Sequence, residues 1–364
     1  MKKFITSESV NCGHPDKTCD IIADSFLDEA LRQDPNSQMA VECAIKNNKL
    51  FIYGEASTNA KIDYDKIAKY VLKEIGYDCE FEIIKEISLQ SPDISEAVIK
   101  EKIMANDQGM VFGYATNESD NYMPMPINIA HDLMKVYEGY RKTDKRFKAD
   151  AKSQVTVEYI NDLPVSISSL LISVSHTENL KYKEICDIVK NNVIDEVLKK
   201  YKALKTDNLK IIINPSKKFT IWGSFGDSGC VGRKIIVDTY GGVGKVGGGC
   251  FSSKNASKVD RSGAYYARYV AKNIVANNLA DRCEVSVSYV IGMEYPTSLY
   301  IETFNTQKIE LNKLYEIVQK NFDFSTQNII DELNLLCPIY KDTACYGHFG
   351  KDYYSWEKIK KLKI

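Results

Sequence analysis

Residues 226–262 read GDSGCVGRKIIVDTYGGVGKVGGGCFSSKNASKVDRS, and the fold is organised around this glycine-rich stretch. Glycine at such density weakens regular elements and is useful where backbone turns sharply or approaches a ligand. Six Lys or Arg residues lie among the glycines, and cations beside exposed N–H groups suit a polyphosphate. Asp227, Asp238 and Asp260 indicate internal ion pairs or a hard metal such as Mg²⁺. The alternative is a solvated loop, but the β-branched run at 235–237 predicts a buried strand.

Length and composition predict a folded protein of two or three domains. The chain has 364 residues, and 44% of them are hydrophobic. Because the net charge is only −1, we expect neither nucleic acid nor membrane among its partners, and any anion site must be local. The N-terminus lacks the apolar segment of a signal peptide, and no run reaches the length of a membrane span. We therefore expect a cytoplasmic protein.

Several common motifs are excluded by their context. None of the ten cysteines forms a C-x-x-C pair, which predicts reduced, buried thiols rather than a disulfide framework or a zinc site. Residues 242–247 match G-x-G-x-x-G, but further glycines and a polar segment follow where a dinucleotide fold needs a helix. A P-loop is excluded as well, because Val246 stands where Ser or Thr should bind Mg²⁺.

A turn at Gly13-His14-Pro15-Asp16-Lys17 precedes a segment with apolar residues at helical spacing. Pro15 is suited to the first turn of that helix. His14, Asp16 and Lys17 would then lie at a helix N-terminus, where free N–H groups favour anions. Asp16 alone has an equally good alternative role as the residue that caps the helix.

The rest of the chain alternates strands, helices and hairpins, which predicts an α+β fold with mixed or antiparallel sheets. Residues 39–45 and 50–54 form a predicted hairpin, in which Glu42 either faces solvent or binds a cation. Residues 180–201 predict one long amphipathic helix. The charged segment that follows Gln90 and ends near Gly109 is typical of either a mobile lid or a linker.

The combined motifs identify a resemblance to the S-adenosylmethionine synthetase (methionine adenosyltransferase) family along nearly the whole chain. The motifs are TSESV at 6–10, GHPDK at 13–17, QSPDI at 90–94, DQG at 107–109, FGYATNE at 112–118, DAKSQVT at 150–156, GRKIIVDTYGG at 232–242, GGG at 247–249, KVDRS at 258–262 and YGHFG at 346–350.

This resemblance implies an α+β protein with three similar, interwoven two-layer α/β domains. It places an N-terminal domain at 1–94, a gating loop at 95–106, a central domain at 107–220 and a C-terminal domain at 221–364. The implied reaction joins L-methionine to ATP: the methionine sulfur attacks C5′ of ATP, and the displaced triphosphate is hydrolysed to pyrophosphate and phosphate. The implied cofactors are two Mg²⁺ ions and one K⁺ ion. The implied assembly is a homodimer or homotetramer with active sites between subunits.

The resemblance also implies roles for individual residues. Contacts to ATP would come from His14, Asp150, Lys152, Lys218, Phe219, Asp227, Arg233, Lys234, Cys250 and Lys254. Of these, the catalytic residues would be His14, Lys152, Arg233, Lys234 and Lys254, with His14 near the breaking C5′–O bond and Phe219 against adenine. Methionine would be held by Glu55, Gln90, Asp107, Asp227 and Lys258. Asp16 and Asp260 would ligate Mg²⁺, and Glu42 would hold K⁺.

The chain departs from the family pattern at Cys12, Asn106, Cys250, Ser253 and Asn255. The family usually has Glu, Gly, Ala, Gly and Asp at these positions. None of the departures removes a matched ligand, so an active synthetase is favoured over a weakened paralogue kept as a nucleotide-binding subunit.

Asn255 supports a specific hypothesis, because an Asp there would partly offset the charges of Lys254 and Lys258. Asparagine leaves both lysines uncompensated, which predicts a more positive local field in this chain. In the alternative interpretation, residue 255 faces solvent and has no effect.

Overall fold

A computed structural model describes residues 1–90 and 102–364, in which strands and helices alternate as expected. The strands are β1 (Lys2–Val10), β2 (Gln38–Lys46), β3 (Lys49–Ser57), β4 (Glu82–Ser88), β5 (Gly109–Thr116), β6 (Phe147–Ile160), β7 (Leu163–His176), β8 (Lys210–Ile213), β9 (Gly229–Cys230), β10 (Arg282–Tyr289) and β11 (Ser298–Glu302). The helices are α1 (Pro15–Gln33), α2 (Tyr64–Ile75), α3 (Met125–Thr143), α4 (Tyr182–Val189), α5 (Asp195–Leu198), α6 (Gly223–Gly226), α7 (Ile235–Asp238), α8 (Val259–Ala276), α9 (Leu311–Asn321) and α10 (Thr326–Glu332).

The strands form sheets whose members come from distant parts of the chain. Their orders are β1-β6-β7-β8, β11-β10-β5 and β4-β3-β2-β9. Two neighbouring pairs, β3 with β4 and β7 with β8, are parallel, and the other pairs are antiparallel. The architecture therefore confirms the α+β prediction of interwoven domains with mixed and antiparallel sheets.

Each sheet is covered by helices to form a two-layer unit. Helix α1 packs on β2 and α2, α3 packs on β1 and β6, and α8 packs on β5 and β10. One apolar core lies under α3 and joins β6, β7 and α4. The second core runs continuously from α1 and β2 to α8 and β10. Among the described residues, no helix has both the length and the apolar character that crossing a membrane requires.

Helix α1 carries an aspartate at every fourth position, and we call Asp16, Asp20, Asp24 and Asp28 the aspartate ladder. Residues four apart lie on the same side of a helix, so the four carboxylates face the same part of the protein. All four are buried. In chain order they accept the backbone N–H groups of Cys230 (3.0 Å), Gly232 (3.0 Å), Ser253 (3.0 Å) and Tyr340 (2.8 Å). The ladder thus fastens the glycine-rich stretch to α1.

Buried cations compensate much of the ladder's charge. The Lys17 ammonium contacts Asp20 at 2.8 Å and also pairs with Asp238. The Arg261 guanidinium donates two parallel hydrogen bonds of 2.8 Å to Asp24. Removing one partner of such a buried pair costs about 3–5 kcal/mol, because the other charge remains unpaired.

The predicted strand at 235–237 is wrong, because these residues form the helical turn α7. Val237 is buried, whereas Ile236 is 48% exposed. Gly232 and Gly241 bound the run with backbone φ angles of +78° and +64°, so the chain turns before a strand can extend. The helical turn also directs Asp238 at Lys17. Three β-branched residues are too few to overcome these constraints.

The long helix predicted at 180–201 is interrupted by a π turn at Lys190–Ile194. Buried apolar residues recur every four positions here, at 185, 189, 193 and 197. An ordinary helix has 3.6 residues per turn, so a locally wider turn keeps these side chains on one face.

All ten cysteines are free thiols, as predicted, but the prediction that they are buried is wrong for most of them. Cys19, Cys43 and Cys283 are fully buried, whereas Cys79 is exposed and the other six are partly exposed. The predicted gating loop at 95–106 lies largely outside the described residues. At its described end, Lys102 pairs with Glu294 at 2.6 Å, and buried Ala105 donates a backbone hydrogen bond to Met293.

Candidate active site

The turn before α1 brings His14 against strand β6. The backbone N–H of Asn11 donates to Ala151 and that of Gly13 to Ala149. Only glycine fits at position 13, since a Cβ there would lie 2.4 Å from the Ala149 Cβ. His14 caps α1, because its Nδ1 accepts the backbone N–H of Asp16 at 3.2 Å. The alternative in which Asp16 caps the helix is therefore wrong.

Asp16 is 1% exposed and is surrounded by donors. One of its carboxylate oxygens accepts the N–H of Cys230, and the other accepts the Lys234 ammonium at 2.6 Å. The Arg233 Nε lies 3.4 Å from the first oxygen. The first rung of the aspartate ladder thus holds two cations of the glycine-rich stretch at the N-terminus of α1.

His14 is a neutral imidazole in this setting. Burial, followed by the charges of Lys234 and Lys152, lowers its pKa to about 3, although Asp16 and Asp227 oppose the shift. Because Nδ1 accepts a hydrogen bond, the single proton of the neutral ring is on Nε2. His14 can therefore donate a hydrogen bond but does not supply a positive charge.

Asp150 has one oxygen paired and one unpaired. Its Oδ2 accepts the N–H of Gly223 at 2.9 Å, whereas Oδ1 is buried without a hydrogen-bond partner among residues 1–90 and 102–364. Burial raises the pKa of Asp150 to about 6, which nearby Lys152 opposes and Asp227 reinforces. Lys152 itself is exposed. The unpaired oxygen is an acceptor that a bound ligand could use.

These residues form the first of two groups, which we call the His14 cluster. Its members share contacts or charge interactions around the start of α1. They are His14, Asp16, Asp150, Lys152, Asp227, Arg233 and Lys234.

Lys218 and Phe219 precede the turn that reaches Asp150. Lys218 is exposed and lies 3.6 Å from Glu178. Phe219 is half-buried, and its backbone N–H donates to His176 Nε2 at 3.1 Å. Gly223, four residues later, donates its backbone N–H to Asp150, so this segment leads into the His14 cluster.

The second half of the glycine-rich stretch forms a separate charged group around Asp260, which pairs with Lys254. A Cβ on Gly248 would lie 2.6 Å from Asp260 Oδ1, and one on Gly249 would lie 2.5 Å from Lys254 Nζ. Gly248 also has a backbone φ of +72°, so glycine suits this close approach of backbone to charge.

Lys258 completes this group at the start of α8. Its ammonium donates to Asn106 Oδ1 at 3.1 Å. Burial, and then the charge of Lys254, lower the pKa of Lys258, whereas Glu55, Asp107 and Asp260 oppose the shift. We call the second group the Lys258 cluster. Its members are Glu55, Asp107, Lys254, Lys258 and Asp260.

Glu42 lies on β2 beside Cys250, and each of its two oxygens has a neighbour. Cys250 Sγ is 4.0 Å from Oε1, and the Tyr53 hydroxyl donates to Oε2 at 3.4 Å. Burial raises the pKa of the Cys250 thiol to about 12, so the neutral thiol lies beside the carboxylate. Gln90 is half-buried at the end of the described segment, and its backbone N–H donates to Ser57.

The structure therefore separates residues that the resemblance groups together. Asp227 belongs to the His14 cluster, whereas Glu55, Asp107 and Lys258 belong to the other. Asp16 and Asp260 also lie in different clusters. In the part of the chain that the structure describes, no three His, Cys, Asp or Glu side chains converge as a metal site.

Asn255 is 3% exposed, so the solvent-facing interpretation is wrong. Its Oδ1 accepts the N–H of Met39 at 3.0 Å, and its Nδ2 donates to Gln38 Oε1 and Ser257 Oγ, both at 2.9 Å. The side chain thus fastens the loop that carries Lys254 and Lys258 to the start of β2.

The aspartate ladder was missed by reasoning from the sequence, although its signal is visible there. Asp16, Asp20, Asp24 and Asp28 recur at every fourth position within a helix whose neighbouring residues are apolar. Acidic residues on a buried helix need partners. Cations of the glycine-rich stretch pair with Asp16 and Asp24, whereas Asp20 pairs with Lys17 and Asp28 accepts backbone N–H groups.

Models of three protein-family domains match this chain in succession. Residues 2–102 match the N-terminal domain of S-adenosylmethionine synthetase, residues 102–219 match its central domain, and residues 221–358 match its C-terminal domain.

Curated proteins named S-adenosylmethionine synthase are similar over the full length. The protein from Mycoplasma capricolum subsp. capricolum is 47% identical, and the alignment covers 100% of this chain and 96% of that protein. The Mesoplasma florum protein is 46% identical over 100% and 99% of the two chains. The Sorangium cellulosum protein is 43% identical over 98% and 88%.

Proposed function

The chain belongs to the S-adenosylmethionine synthetase family, and from that premise we propose how its residues make S-adenosylmethionine from ATP and L-methionine. This activity makes the protein a methionine adenosyltransferase. In our proposal, the His14 cluster receives the triphosphate. The Lys258 cluster receives methionine and contributes Lys254 and Asp260 to the triphosphate and its Mg²⁺. The observation that carries the assignment is buried Asp16, which holds Arg233 and Lys234 beside His14 at a helix N-terminus.

The step at carbon needs charge stabilisation more than a base. The neutral sulfur of methionine forms a bond to C5′, the C5′–O5′ bond breaks, and its electron pair leaves with the triphosphate. Lys152, Arg233 and Lys234 offset the negative charge that builds up on the leaving oxygens. Neutral His14 donates its Nε2 proton in a hydrogen bond at the breaking bond. Lys254 acts on the triphosphate as well, which is then hydrolysed to pyrophosphate and phosphate.

The carboxylates fit Mg²⁺ ions that are shared with the substrate. Magnesium commonly takes one or two carboxylates and completes its coordination with water and phosphate oxygens. Asp16 and Asp260 each offer a carboxylate that is now paired with lysine, and each would hold one of two Mg²⁺ ions. Bound Mg²⁺ would neutralise charge on the triphosphate. Glu42, with the Tyr53 hydroxyl beside it, fits one K⁺ ion.

The remaining subsites complete the proposal. Phe219 offers a half-buried aromatic face for adenine, and Lys218 and Cys250 lie along the nucleotide. The unpaired Oδ1 of Asp150 would accept a hydrogen bond from ATP. Glu55, Gln90, Asp107 and Lys258 would hold the ammonium and carboxylate groups of methionine, with Asp227 reaching it from the His14 cluster.

We further propose a homodimer or homotetramer in which each active site combines the His14 cluster of one subunit with the Lys258 cluster of another. Apolar side chains exposed on strands of all the sheets support an interface there. They are Phe4, Phe51, Ile84, Met110 and Tyr300, each between 41% and 55% exposed. Free cysteines are consistent with work in a reducing cytoplasm.

Two experiments test these proposals. Purified protein incubated with ATP, methionine, Mg²⁺ and K⁺ should yield the sulfonium product by mass spectrometry. The shared site is tested by co-expressing inactive Asp16→Asn and Asp260→Asn chains. A mixed pair would contain one intact site, so activity should return, whereas sites built within single chains would give none.

A further inference from the structure

A cavity of about 590 Å³ lies beside the turn that carries His14, with Cys12 in its lining. Its walls are the last turn of α2, the second half of α3 and the segment 341–353 that follows α10. None of the residues of the His14 or Lys258 cluster lines it.

Two of the acidic groups that line this cavity already have cationic partners. Glu138 accepts hydrogen bonds from Arg141 at 2.6 and 2.7 Å and from Asn11 at 2.7 Å. Glu74 pairs with Lys341 at 2.7 Å. Two further carboxylates, Asp342 and Asp352, line the cavity but are exposed to solvent.

Several N–H groups of cationic side chains in the cavity, in contrast, have no acceptor among the described residues. Lys351 donates to the carbonyls of Asp342 and Cys345 at 2.9 and 2.8 Å, which leaves its third N–H without an acceptor among the described residues. Arg141 uses Nε and Nη2, whereas its Nη1 donates to no group in residues 1–90 or 102–364. Lys135 has Asp132 no closer than 3.6 Å.

Lys351 is also short of compensating negative charge. Burial, together with the charges of Lys135 and Lys17, lowers the pKa of Lys351 to about 8, against the opposing effects of Cys345 and Asp342. A bound anion would stabilise the charged form of such a buried lysine and raise its pKa.

We propose that this cavity binds a small phosphorylated anion through Lys351, Arg141 and Lys135. The donors come from two walls of the cavity, because Lys135 and Arg141 lie on α3 and Lys351 lies in the segment 341–353. A tetrahedral phosphate presents oxygens in different directions, whereas a planar carboxylate is best matched by the two parallel N–H groups of one guanidinium. The Nε and Nη2 groups of Arg141 already donate in this way to Glu138. The geometry therefore favours phosphate.

Inorganic phosphate is the probe for this site. Because a lysine with a lowered pKa reacts readily with acylating agents, trace acetylation of Lys351 can be followed by mass spectrometry. The background is Lys234→Met, which weakens phosphate binding in the His14 cluster. Millimolar phosphate should slow acetylation of Lys351 at least about threefold, as expected when a bound anion charges the amine.

Two variants on that background decide the outcome. Lys135→Met should remove most of the protection, because it deletes one proposed ligand on the exposed surface of α3. Lys341→Met is the matched control, since this lysine lines the same cavity but is neutralised by Glu74, and protection should persist. The proposal is overturned if phosphate does not protect Lys351, or if both variants lose protection equally. Protection that occurs only when Lys234 is present would assign the effect to the His14 cluster instead.

Discussion

The His14 and Lys258 clusters both use the glycine-rich stretch, but the protein holds them differently. His14 and Asp16 are at most 2% exposed. The turn that carries His14 donates backbone hydrogen bonds to β6, and Asp16 accepts one from β9. The side chains of Lys254 and Asp260 are each 16% exposed, and the two residues pair with each other. Lys258 contacts Asn106, just beyond the last undescribed residue. His14 and Asp16 are thus built into the core, whereas Lys254 and Asp260 lie at its edge.

This difference matches the demands of the reaction. Charge that develops on a leaving triphosphate is best stabilised by groups that are already in position, since they need no reorganisation. The methionine end must admit a substrate and release a larger product, and partly exposed groups suit that task. The following predictions test whether this contrast is real.

The largest effect is expected for Asp24→Asn, because Asp24 belongs to the aspartate ladder that supports both clusters. Asp24 pairs with buried Arg261 and accepts the N–H of Ser253, so the substitution leaves a buried guanidinium without its countercharge. We expect a loss of about 3–5 kcal/mol in the free energy of unfolding. Urea denaturation measures it. The control Glu29→Gln breaks an exposed pair with Arg32 and should cost below about 1 kcal/mol. Equal effects would contradict the role of the ladder.

Asp16→Asn should separate catalysis from stability within the His14 cluster. The amide can still accept the N–H of Cys230 but lacks the charge that Mg²⁺ needs, so turnover should fall by at least about 100-fold, with the fold intact. Asp20→Asn is the matched control, because Asp20 is equally buried one turn later and pairs with Lys17. The Asp20→Asn substitution should lower the unfolding temperature but change turnover little. Near-normal turnover of Asp16→Asn at limiting Mg²⁺ would refute the assignment.

Lys258 should give the methionine site a pH dependence. Its pKa is lowered by burial and by Lys254, with Glu55, Asp107 and Asp260 opposing, so its charge is lost at a lower pH than for an ordinary lysine. Above that lowered pKa, KM for methionine should rise by about tenfold per pH unit, because only the ammonium holds the carboxylate.

Lys258→Arg provides the comparison, since arginine stays charged throughout this range. The substitution should flatten the profile apart from the ionisation of methionine itself, even if KM is raised at every pH. Identical profiles in the two proteins would show that Lys258 does not hold the substrate carboxylate.

The smallest effect is expected for Asn255→Asp. A carboxylate at position 255 should weaken inhibition by added triphosphate by about 1 kcal/mol or less, because this side chain bonds Met39, Gln38 and Ser257 and contacts neither Lys254 nor Lys258 directly. Inhibition constants at low and high salt measure it. Ser257→Ala is the control, because it removes a neighbouring hydrogen bond without adding charge. Tighter inhibition of the Asp variant, or no difference at low salt, would refute the field argument.

Local patterns in the sequence predicted much of the fold. The hairpin at β2 and β3 and helix α1 follow from apolar spacing and a turn signal, and the structure confirms both. The run at 235–237 was misread because its helical turn depends on flanking glycines and on Lys17, which is more than 200 residues away. The sheet partners are also distant, as when β1 pairs with β6, and single-sequence patterns contain no register for such contacts.

Motifs predicted the individual residues of the candidate site, but they did not predict how these residues group into the His14 and Lys258 clusters. Motifs name His14, Asp227 and Lys258 without giving their positions in space, and the structure then places Asp227 beside His14. Burial of Asn255 was equally hidden, because a polar residue in a glycine-rich loop ordinarily predicts exposure.

The aspartate ladder has a consequence for the order in which a ribosome delivers this chain. Four like charges spaced four residues apart disfavour α1 while it stands alone. Its hydrogen-bond partners emerge 214, 212, 229 and 312 residues later. Although α1 is the first helix to be synthesised, its carboxylates therefore lack these hydrogen-bond partners until most of the polypeptide has been made. Such long-range closure slows folding and leaves apolar surface exposed, so a nascent chain stalled before residue 230 should be a substrate for chaperones.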